Sequence, residues 1–286
     1  MLSGTEYVRP STMDEASGLL ANDEGAVVLA GGTDVLVAAF AGRMSVSTLV
    51  DVSSLPELKG VEDWGDCVWI GALTTMTKLC ASDVVNRVLP GLGSAAAAMG
   101  CWQVRNRATI GGNLCNASPS AEMGPPLLVY EAAVDLDGVG GKRRLPISEF
   151  FKGPGETALA KGELVTGIRI PKPDAGLRVA YVRRALRRSM DIPLVNVAVG
   201  VQMGDGVGVD ARVALGAVAP VPFRVPVAEE ILVGRPLTDS VIQEAAEGAC
   251  CPARPITDVR ATAEYRLAMV EVLVRRALIQ LAEESV

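Results

Sequence analysis

The chain of 286 residues contains no histidine. Imidazole is the base of Ser-His-Asp and Cys-His sites and a common ligand of zinc. Its absence excludes those nucleophilic sites and imidazole metal sites. We therefore expect no catalytic residue of this kind and no metal site; any chemistry needs another source, and a bound cofactor is the economical one.

Aromatic residues and long apolar runs are also scarce. Aromatics make up 4% of the chain and hydrophobic residues 49%, so the core must consist mainly of Val, Leu, Ile and Ala, and wholesale disorder is excluded. No apolar run approaches the ~18 residues of a transmembrane helix, which predicts no membrane span. The first ten residues, MLSGTEYVRP, lack the charged and apolar regions of a signal peptide.

The six cysteines form no CxxC motif, and Cys250 and Cys251 are adjacent, which is too constrained for an ordinary mutual disulfide. They do not supply the ligand set of an iron–sulfur cluster. Scattered, mostly buried thiols are typical of a reduced, cytoplasmic protein. The cytoplasm is therefore the expected location.

The net charge is −6, which disfavours general binding of nucleic acid, because neutralising phosphates needs a basic surface. One basic stretch runs against this balance. It holds Arg183, Arg184, Arg187 and Arg188. These side chains either form a solvated or interface-facing patch or contact a bound anion.

The first part of the chain reads as a mixture of strands and helices. Ser11 and Thr12 are expected to cap a helix, followed by buried strands over 26–30 and 48–52. Residues 68–75 and 162–171 are typical of strands. The pattern over 78–100 predicts one or two helices.

A linker over 172–176 separates this part from a second pattern. Three strand-like stretches form hairpins there, at 179–185, 194–203 and 211–219. Helices over 239–249 and 258–282 close the chain. The fold class is α+β in two parts.

Two glycine-rich segments carry the functional signal. Gly31-Gly32-Thr33-Asp34 follows a buried strand, and Thr109-Ile110-Gly111-Gly112-Asn113 is expected to turn through its two glycines. Paired glycines let backbone N–H groups approach an anion closely, and nearby hydroxyl and amide side chains add donors. Either segment alone is more often a simple turn. Two of them about 75 residues apart could clamp a dinucleotide from both sides.

These segments also carry a resemblance to a known family. VLAGGTDVLV (28–37), QVRNRATIGGNLCNASPSAE (103–122), YVRRALRRSMDIPLVNVAV (181–199) and PITDVRATAEYRLAMVEVLVRRAL (255–278) resemble the medium, FAD-binding subunit of the molybdenum hydroxylases. Carbon monoxide dehydrogenase and xanthine dehydrogenase belong to this family. The resemblance covers nearly the whole chain, and the second of these stretches is its most specific part.

The resemblance implies a fold. Residues 1–171 would form an FAD-binding domain of the vanillyl-alcohol-oxidase type, with two subdomains at about 1–55 and 56–171. Residues 178–286 would form a domain like the C-terminal domain of the carbon monoxide dehydrogenase flavoprotein, a three-stranded antiparallel sheet with helices.

The resemblance also implies cofactor-binding residues. The first segment would wrap the pyrophosphate through backbone amides, the second would hold phosphates and hydroxyls, and apolar residues would pack near the flavin ring. These residues are Val28, Leu29, Ala30, Gly31, Gly32, Thr33, Asp34, Val35, Met99, Thr109, Gly112, Asn113, Ser118, Glu122, Leu164, Val165 and Arg183.

Two of these positions depart from the family pattern. Glu122 stands where Asp is usual, so its carboxylate reaches one methylene further. Arg183 replaces a lysine near the flavin, which exchanges a point charge for a planar fork.

The implied function is electron transfer. Electrons from a molybdopterin-binding large subunit would pass through two-iron, two-sulfur clusters on a small subunit to FAD on this chain, and then to NAD, a quinone or oxygen. Two alternatives stay open at this point. One is a free-standing FAD-dependent oxidase or monooxygenase acting on a small organic substrate. The other is a scaffold subunit that does not bind FAD.

Overall fold

The structure, a computed structural model, describes residues 4–283; the predicted domain ends at 1–3 and 284–286 lie outside these residues. The N-terminal unit is a parallel sheet in the order β1-β3-β2, flanked by two helices. Its elements are β1 (Glu6–Val8), α1 (Met13–Asn22), β2 (Ala26–Leu29), α2 (Val35–Phe40) and β3 (Thr48–Asp51).

The predicted cap of α1 is confirmed. The Thr12 hydroxyl accepts a hydrogen bond from the Glu15 amide at 3.2 Å, and the Glu15 carboxylate accepts one from the Ser11 amide at 2.7 Å. This exchange satisfies two backbone donors that the first helical turn leaves free.

The second unit is built on an antiparallel sheet in the order β4-β5-β10-β6-β7. Helices cover it, and a short hairpin follows the last of them. The strands are β4 (Val61–Asp63), β5 (Cys67–Gly71), β6 (Ala133–Gly138), β7 (Arg143–Pro146), β8 (Phe151–Gly153), β9 (Glu156–Thr157) and β10 (Glu163–Pro171). The helices are α3 (Met76–Cys80), α4 (Asp83–Val88), α5 (Pro90–Ala98), α6 (Trp102–Arg105), α7 (Ile110–Cys115), α8 (Gly124–Val129) and α9 (Ile147–Phe150).

The prediction of one or two helices over 78–100 is confirmed: α4 and α5 lie there, because the chain leaves helical geometry at Leu89 and restarts at Pro90, and the end of α3 also falls in this stretch. Another prediction for this unit is wrong. Gly111 and Gly112 do not form a turn; they lie in the first turn of α7, which Thr109 caps.

The C-terminal unit is an antiparallel sheet in the order β11-β12-β13-β14 with three helices on one face. Its elements are β11 (Leu177–Arg184), β12 (Val195–Gly204), β13 (Val207–Gly216), β14 (Phe223–Arg224), α10 (Pro226–Leu232), α11 (Asp239–Gly248) and α12 (Ala263–Glu283).

The prediction of three strands is wrong because β14 adds a fourth to the part of this sheet that the structure describes. β14 has only two residues, and its pairing with Ala214 and Leu215 depends on the approach of the distant β13 rather than on a local pattern. The predicted last helix also begins later, at Ala263, and α10 was not predicted.

β12 alternates large and small residues and thereby joins the two halves of the molecule. Its valines at 195, 197, 199 and 201 pack among buried residues of α10, α11 and α12. The opposite face carries Asn196, Ala198 and Gly200, and Ala198 belongs to the core formed with the second unit. Successive residues of a strand point to opposite faces, so this pattern gives the sheet one deep aliphatic face and one shallow face.

Within residues 4–283, no helix combines the length and apolar character needed to cross a membrane.

The shallow face of β12 yields a stability prediction. A Cβ at Gly200 would lie 2.8 Å from Cγ1 of Val129 in α8, so Gly200→Val should overpack this contact and lower the free energy of unfolding by about 1–3 kcal/mol. Denaturant unfolding followed by circular dichroism measures the change. Gly140→Val is the matched control: no described atom lies within 4 Å of a Cβ there, and the expected change is within about 0.5 kcal/mol. An equal decrease in the free energy of unfolding in both variants would contradict the packing argument.

Candidate functional site

A cavity of about 700 Å³ opens between the N-terminal sheet, α7 and the connection from β11 to β12. All but two of the residues predicted for cofactor binding line it. These are Val28, Ala30, Gly31, Gly32, Thr33, Asp34, Val35, Met99, Thr109, Gly112, Asn113, Ser118, Glu122, Leu164 and Val165. The two glycine segments, about 75 residues apart in sequence, therefore meet in one site.

Leu29 and Arg183 are not among the described residues that line the cavity. Leu29 is the last residue of β2. Arg183 lies in β11, and its guanidinium Nη1 contacts Oε1 of Glu122, which does line the cavity. Two of the predicted residues thus form an ion pair, and of these two Glu122 lies at the cavity wall.

The first glycine segment is shaped by contact with Arg107, two residues before the second segment. A Cβ at Gly31 would overlap the carbonyl oxygen of Arg107, so only glycine allows the two backbones to come this close. Gly32 has φ +75°, in the left-handed region that favours glycine. The two glycines therefore have separate reasons to be there, close approach and backbone conformation.

The second segment is anchored to the turn that follows β5. The Thr109 hydroxyl accepts from the Gly112 amide at 3.0 Å, and the Ile110 and Gly111 amides donate to the carbonyls of Thr74 and Ala72 at 3.0 and 2.9 Å. These bonds hold the start of α7 at the cavity wall.

Asn113 presents an unusual polar group there. Its Nδ2 lies 3.7 Å from the Met99 sulfur. Its Oδ1 is buried and has no hydrogen-bond partner among the described residues. Buried acceptors are normally paired, so this atom is a natural acceptor for a donor on a bound molecule.

Glu122 is a buried carboxyl group in the cavity wall. The residue is 6% exposed and its Oε1 lies 3.1 Å from Nη1 of Arg183. Burial raises the pKa of its carboxyl group to about 7, although Arg183 opposes the shift by favouring the charged form. Asp34, which also lines the cavity, raises it further. Glu122 is therefore a carboxyl group that can hold a proton near neutral pH.

Cys115 does not offer a nucleophile to this site. Loss of hydration raises the pKa of its thiol to about 12, so the reactive thiolate is disfavoured. Cys115 behaves as a small apolar wall residue, which agrees with the absence of a histidine base in the chain.

Sequence reasoning missed the wall that the C-terminal unit contributes. Arg187, Met190, Asp191, Ile192, Pro193 and Arg260 also line the cavity. Most of them lie between β11 and β12, where the Met190 amide and the Ser189 hydroxyl donate to the Gly100 carbonyl at 3.0 and 3.2 Å. The arginine run was a visible signal, but its position over the cavity depends on this long-range contact.

The chain is similar to known proteins along its full length. Residues 3–173 match the family described as the FAD binding domain in molybdopterin dehydrogenase, and residues 180–281 match the carbon monoxide dehydrogenase flavoprotein C-terminal domain. The xanthine dehydrogenase FAD-binding subunit of Escherichia coli O157:H7 is 32% identical over 280 residues, covering 97% of this chain and 96% of the relative.

Carbon monoxide dehydrogenases give the same result. The medium chain from Hydrogenophaga pseudoflava is 33% identical over 274 residues, covering 96% of this chain and 95% of the relative. The structure of reconstituted carbon monoxide dehydrogenase from Oligotropha carboxidovorans contains a chain that is 32% identical, with a TM-score of 0.94 and coverage of 98% on both sides. The predicted resemblance is thus confirmed, and the chain belongs to the FAD-binding medium subunits of the molybdopterin dehydrogenases, a family of oxidoreductases.

Proposed function

We propose that this chain is the electron-transfer subunit of a three-subunit molybdenum hydroxylase. A molybdopterin-binding large subunit oxidises the organic substrate, and a small subunit with two-iron, two-sulfur clusters delivers the electrons to FAD held here. NAD, a quinone or oxygen then receives them. The observation that carries the proposal is the single cavity in which the two glycine segments of the family meet.

The residues of the cavity fit FAD. Gly31 and Gly32 line the cavity, and the backbone path that they allow against Arg107 holds this segment at the wall, so we assign its backbone amides to the pyrophosphate. The unpaired Oδ1 of Asn113 can accept from a ribityl hydroxyl or a ring N–H, a role that fits its burial. The volume of about 700 Å³ lies within the usual range for cofactor sites.

The apolar wall suits a flavin ring. Met99, Leu164 and Val165 line the cavity and are 7%, 4% and 6% exposed. Such a wall excludes water and lowers the local dielectric, which strengthens every electrostatic contact with the bound molecule. We assign these residues to the ring end of the site and Thr33, Thr109 and Ser118 to its polar end.

When bound, FAD supplies the ability to accept electrons singly and release them in pairs. The chain itself binds and orients this cofactor, shields one part of it from water, and can hold a proton at the Glu122 carboxylate. Neither a nucleophile nor a histidine base is needed for these tasks. We also propose the domain ranges 1–171 and 178–286 and a cytoplasmic location, which stay predictions.

Turnover by the chain and by the complex tests the proposed function. We expect the purified chain, supplied with FAD and oxygen, to oxidise no organic substrate, because electrons must arrive from a partner's clusters. Co-expression with a large and a small subunit should produce substrate-dependent reduction of an acceptor. Product and peroxide are measured across a broad substrate panel. Robust multiple turnover by the single chain would instead favour the free-standing oxidase.

Gly112→Val should remove FAD while leaving the fold. A Cβ there would approach only the Thr109 hydroxyl, at 3.0 Å, and Gly112 lines the cavity, so the added methyl groups occupy cofactor space. Flavin released by heat from the tagged, purified protein should fall at least about 10-fold, which requires FAD binding to weaken by more than about 1.4 kcal/mol. Gly18→Val, in α1 with no described atom within 4 Å of its Cβ, is the control. Wild-type FAD content in Gly112→Val would refute the assigned role of α7.

The affinity for FAD should fall as the pH rises through about 7. Glu122 is neutral below its raised pKa of about 7 and charged above it, and a carboxylate in the cavity wall repels the anionic pyrophosphate. We expect Kd to rise about 5- to 10-fold between pH 6 and pH 8, which corresponds to roughly 1–1.4 kcal/mol of repulsion. Fluorescence titration measures it. Glu122→Gln stays neutral and should flatten the curve; an equally steep curve in that variant would assign the effect to another group.

A further inference from the structure

The segment 118–122 is the part of the cavity wall that touches the C-terminal sheet. Ser118, Ser120, Ala121 and Glu122 all line the cavity. The segment connects α7 to α8 and has no strand or helix of its own. Its position therefore depends on what holds it from outside.

Three neighbouring strand ends each donate one hydrogen bond to this segment. From β11, Nη1 of Arg183 donates to Oε1 of Glu122 at 3.1 Å. From β12, Nδ2 of Asn196 donates to the Ala121 carbonyl at 3.1 Å. The amide of Ala217, directly after β13, donates to the Pro119 carbonyl at 2.7 Å.

These donors form one line across the sheet. Arg183 is paired with Asn196 in the β11–β12 register, and Asn196 is paired with Gly216 in the β12–β13 register. A Cβ at Gly216 would overlap Oδ1 of Asn196, so the glycine leaves the space that the asparagine side chain occupies. Asn196 itself is fully buried. A buried polar side chain whose donor is aimed at a loop carbonyl is costly to keep unless that contact matters.

Backbone strain marks the same contact. Ala217 has φ +66° and Ala117, next to the segment, has φ +44°. Left-handed backbone is unfavourable for alanine and persists only where the surroundings hold it. At Ala217 this conformation accompanies the bond from its amide to Pro119.

We propose that Arg183 and Asn196 are positioning residues, through which the C-terminal sheet holds the segment 118–122 in the shape that binds FAD. This inference rests on the proposed FAD site. It gives the C-terminal unit a role in cofactor binding through the cavity wall, and it gives Arg183 an indirect role in place of the direct flavin contact implied by resemblance.

Two substitutions test the positioning. Asn196→Ala removes the donor to Ala121, and Arg183→Met removes the donor to Glu122 while keeping an apolar stem of similar length. We expect the Kd for FAD to rise at least 10-fold in each variant. The visible circular dichroism band of flavin still bound at saturating FAD should also change, because the ring would lie in an altered wall.

Two further variants separate positioning from general stability. Arg183→Lys keeps a cationic donor for Glu122 and should restore most of the affinity that Arg183→Met loses. Val199→Ala lies on the same strand but faces the C-terminal helices, so it should lower the unfolding temperature and leave the Kd for FAD within 2-fold. Unchanged affinity in folded Asn196→Ala and Arg183→Met, or equal loss in Val199→Ala, would overturn the proposal.

Hydrogen exchange keeps the test decisive if a variant fails to fold. In the wild-type chain without FAD, the amide of Ala217, which donates to the Pro119 carbonyl at 2.7 Å, should exchange as slowly as the amides of β12, because the sheet already holds the segment. Exchange at the rate of exposed loops would overturn the proposal. Failure of the wild-type protein to bind FAD would instead count against the proposed function. The exchange result would then still test whether the C-terminal sheet holds the segment 118–122.

Discussion

The close fit between the shallow face of β12 and the loops and helices of the FAD-binding part is the constraint on which the rest of the structure depends. Asn196, Ala198 and Gly200 leave room for α8 and for the segment before it, while the valines between them fill the C-terminal core. Hydrophobic burial on both faces stabilises the sheet, because each buried valine contributes roughly 1.5–3 kcal/mol. One strand thus joins two cores and places the C-terminal unit beside the cofactor cavity.

The cavity combines a wall held by backbone contacts with the carboxyl group of Glu122, whose charge depends on pH. The glycine segments are held by backbone contacts to Arg107 and to the turn that follows β5, so their shape does not depend on flexible side chains. Glu122 differs because burial and Arg183 act on its carboxyl group in opposite directions. Breaking one side of a buried ion pair is costly, which ties this acid to the C-terminal sheet. The cavity thus joins a wall held by backbone contacts to a buried carboxyl group with a raised pKa.

Much of the fold could be read from local pattern. The cap at Thr12, the strand before Gly31, the hairpins after 178 and the two closing helices all follow from short-range signals that the structure shows. The wrong predictions lie where local sequence signals conflict with one another, as at α7, or are too short to recognise, as at β14. Gly111 and Gly112 read as a turn, yet the Thr109 cap and the bonds to Ala72 and Thr74, directly after β5, keep them helical. β14 is too short to carry a pattern, and it exists because β13 lies beside it.

The sequence by itself determined the family, the cofactor and the two glycine segments of the cavity wall, because both segments are short motifs; most of the other lining residues, including those of the C-terminal unit, emerged only from the structure. The absence of histidine also excluded imidazole-based nucleophilic and metal sites. Only the tertiary structure decided that Arg183 contacts Glu122 and that the β11–β12 connection reaches Gly100 across the cavity. The first contact joins residues 61 positions apart and the second joins residues about 90 positions apart, so no local propensity encodes either of them. They arise because β12 docks by its shallow face, which brings the neighbouring strand ends to the cavity.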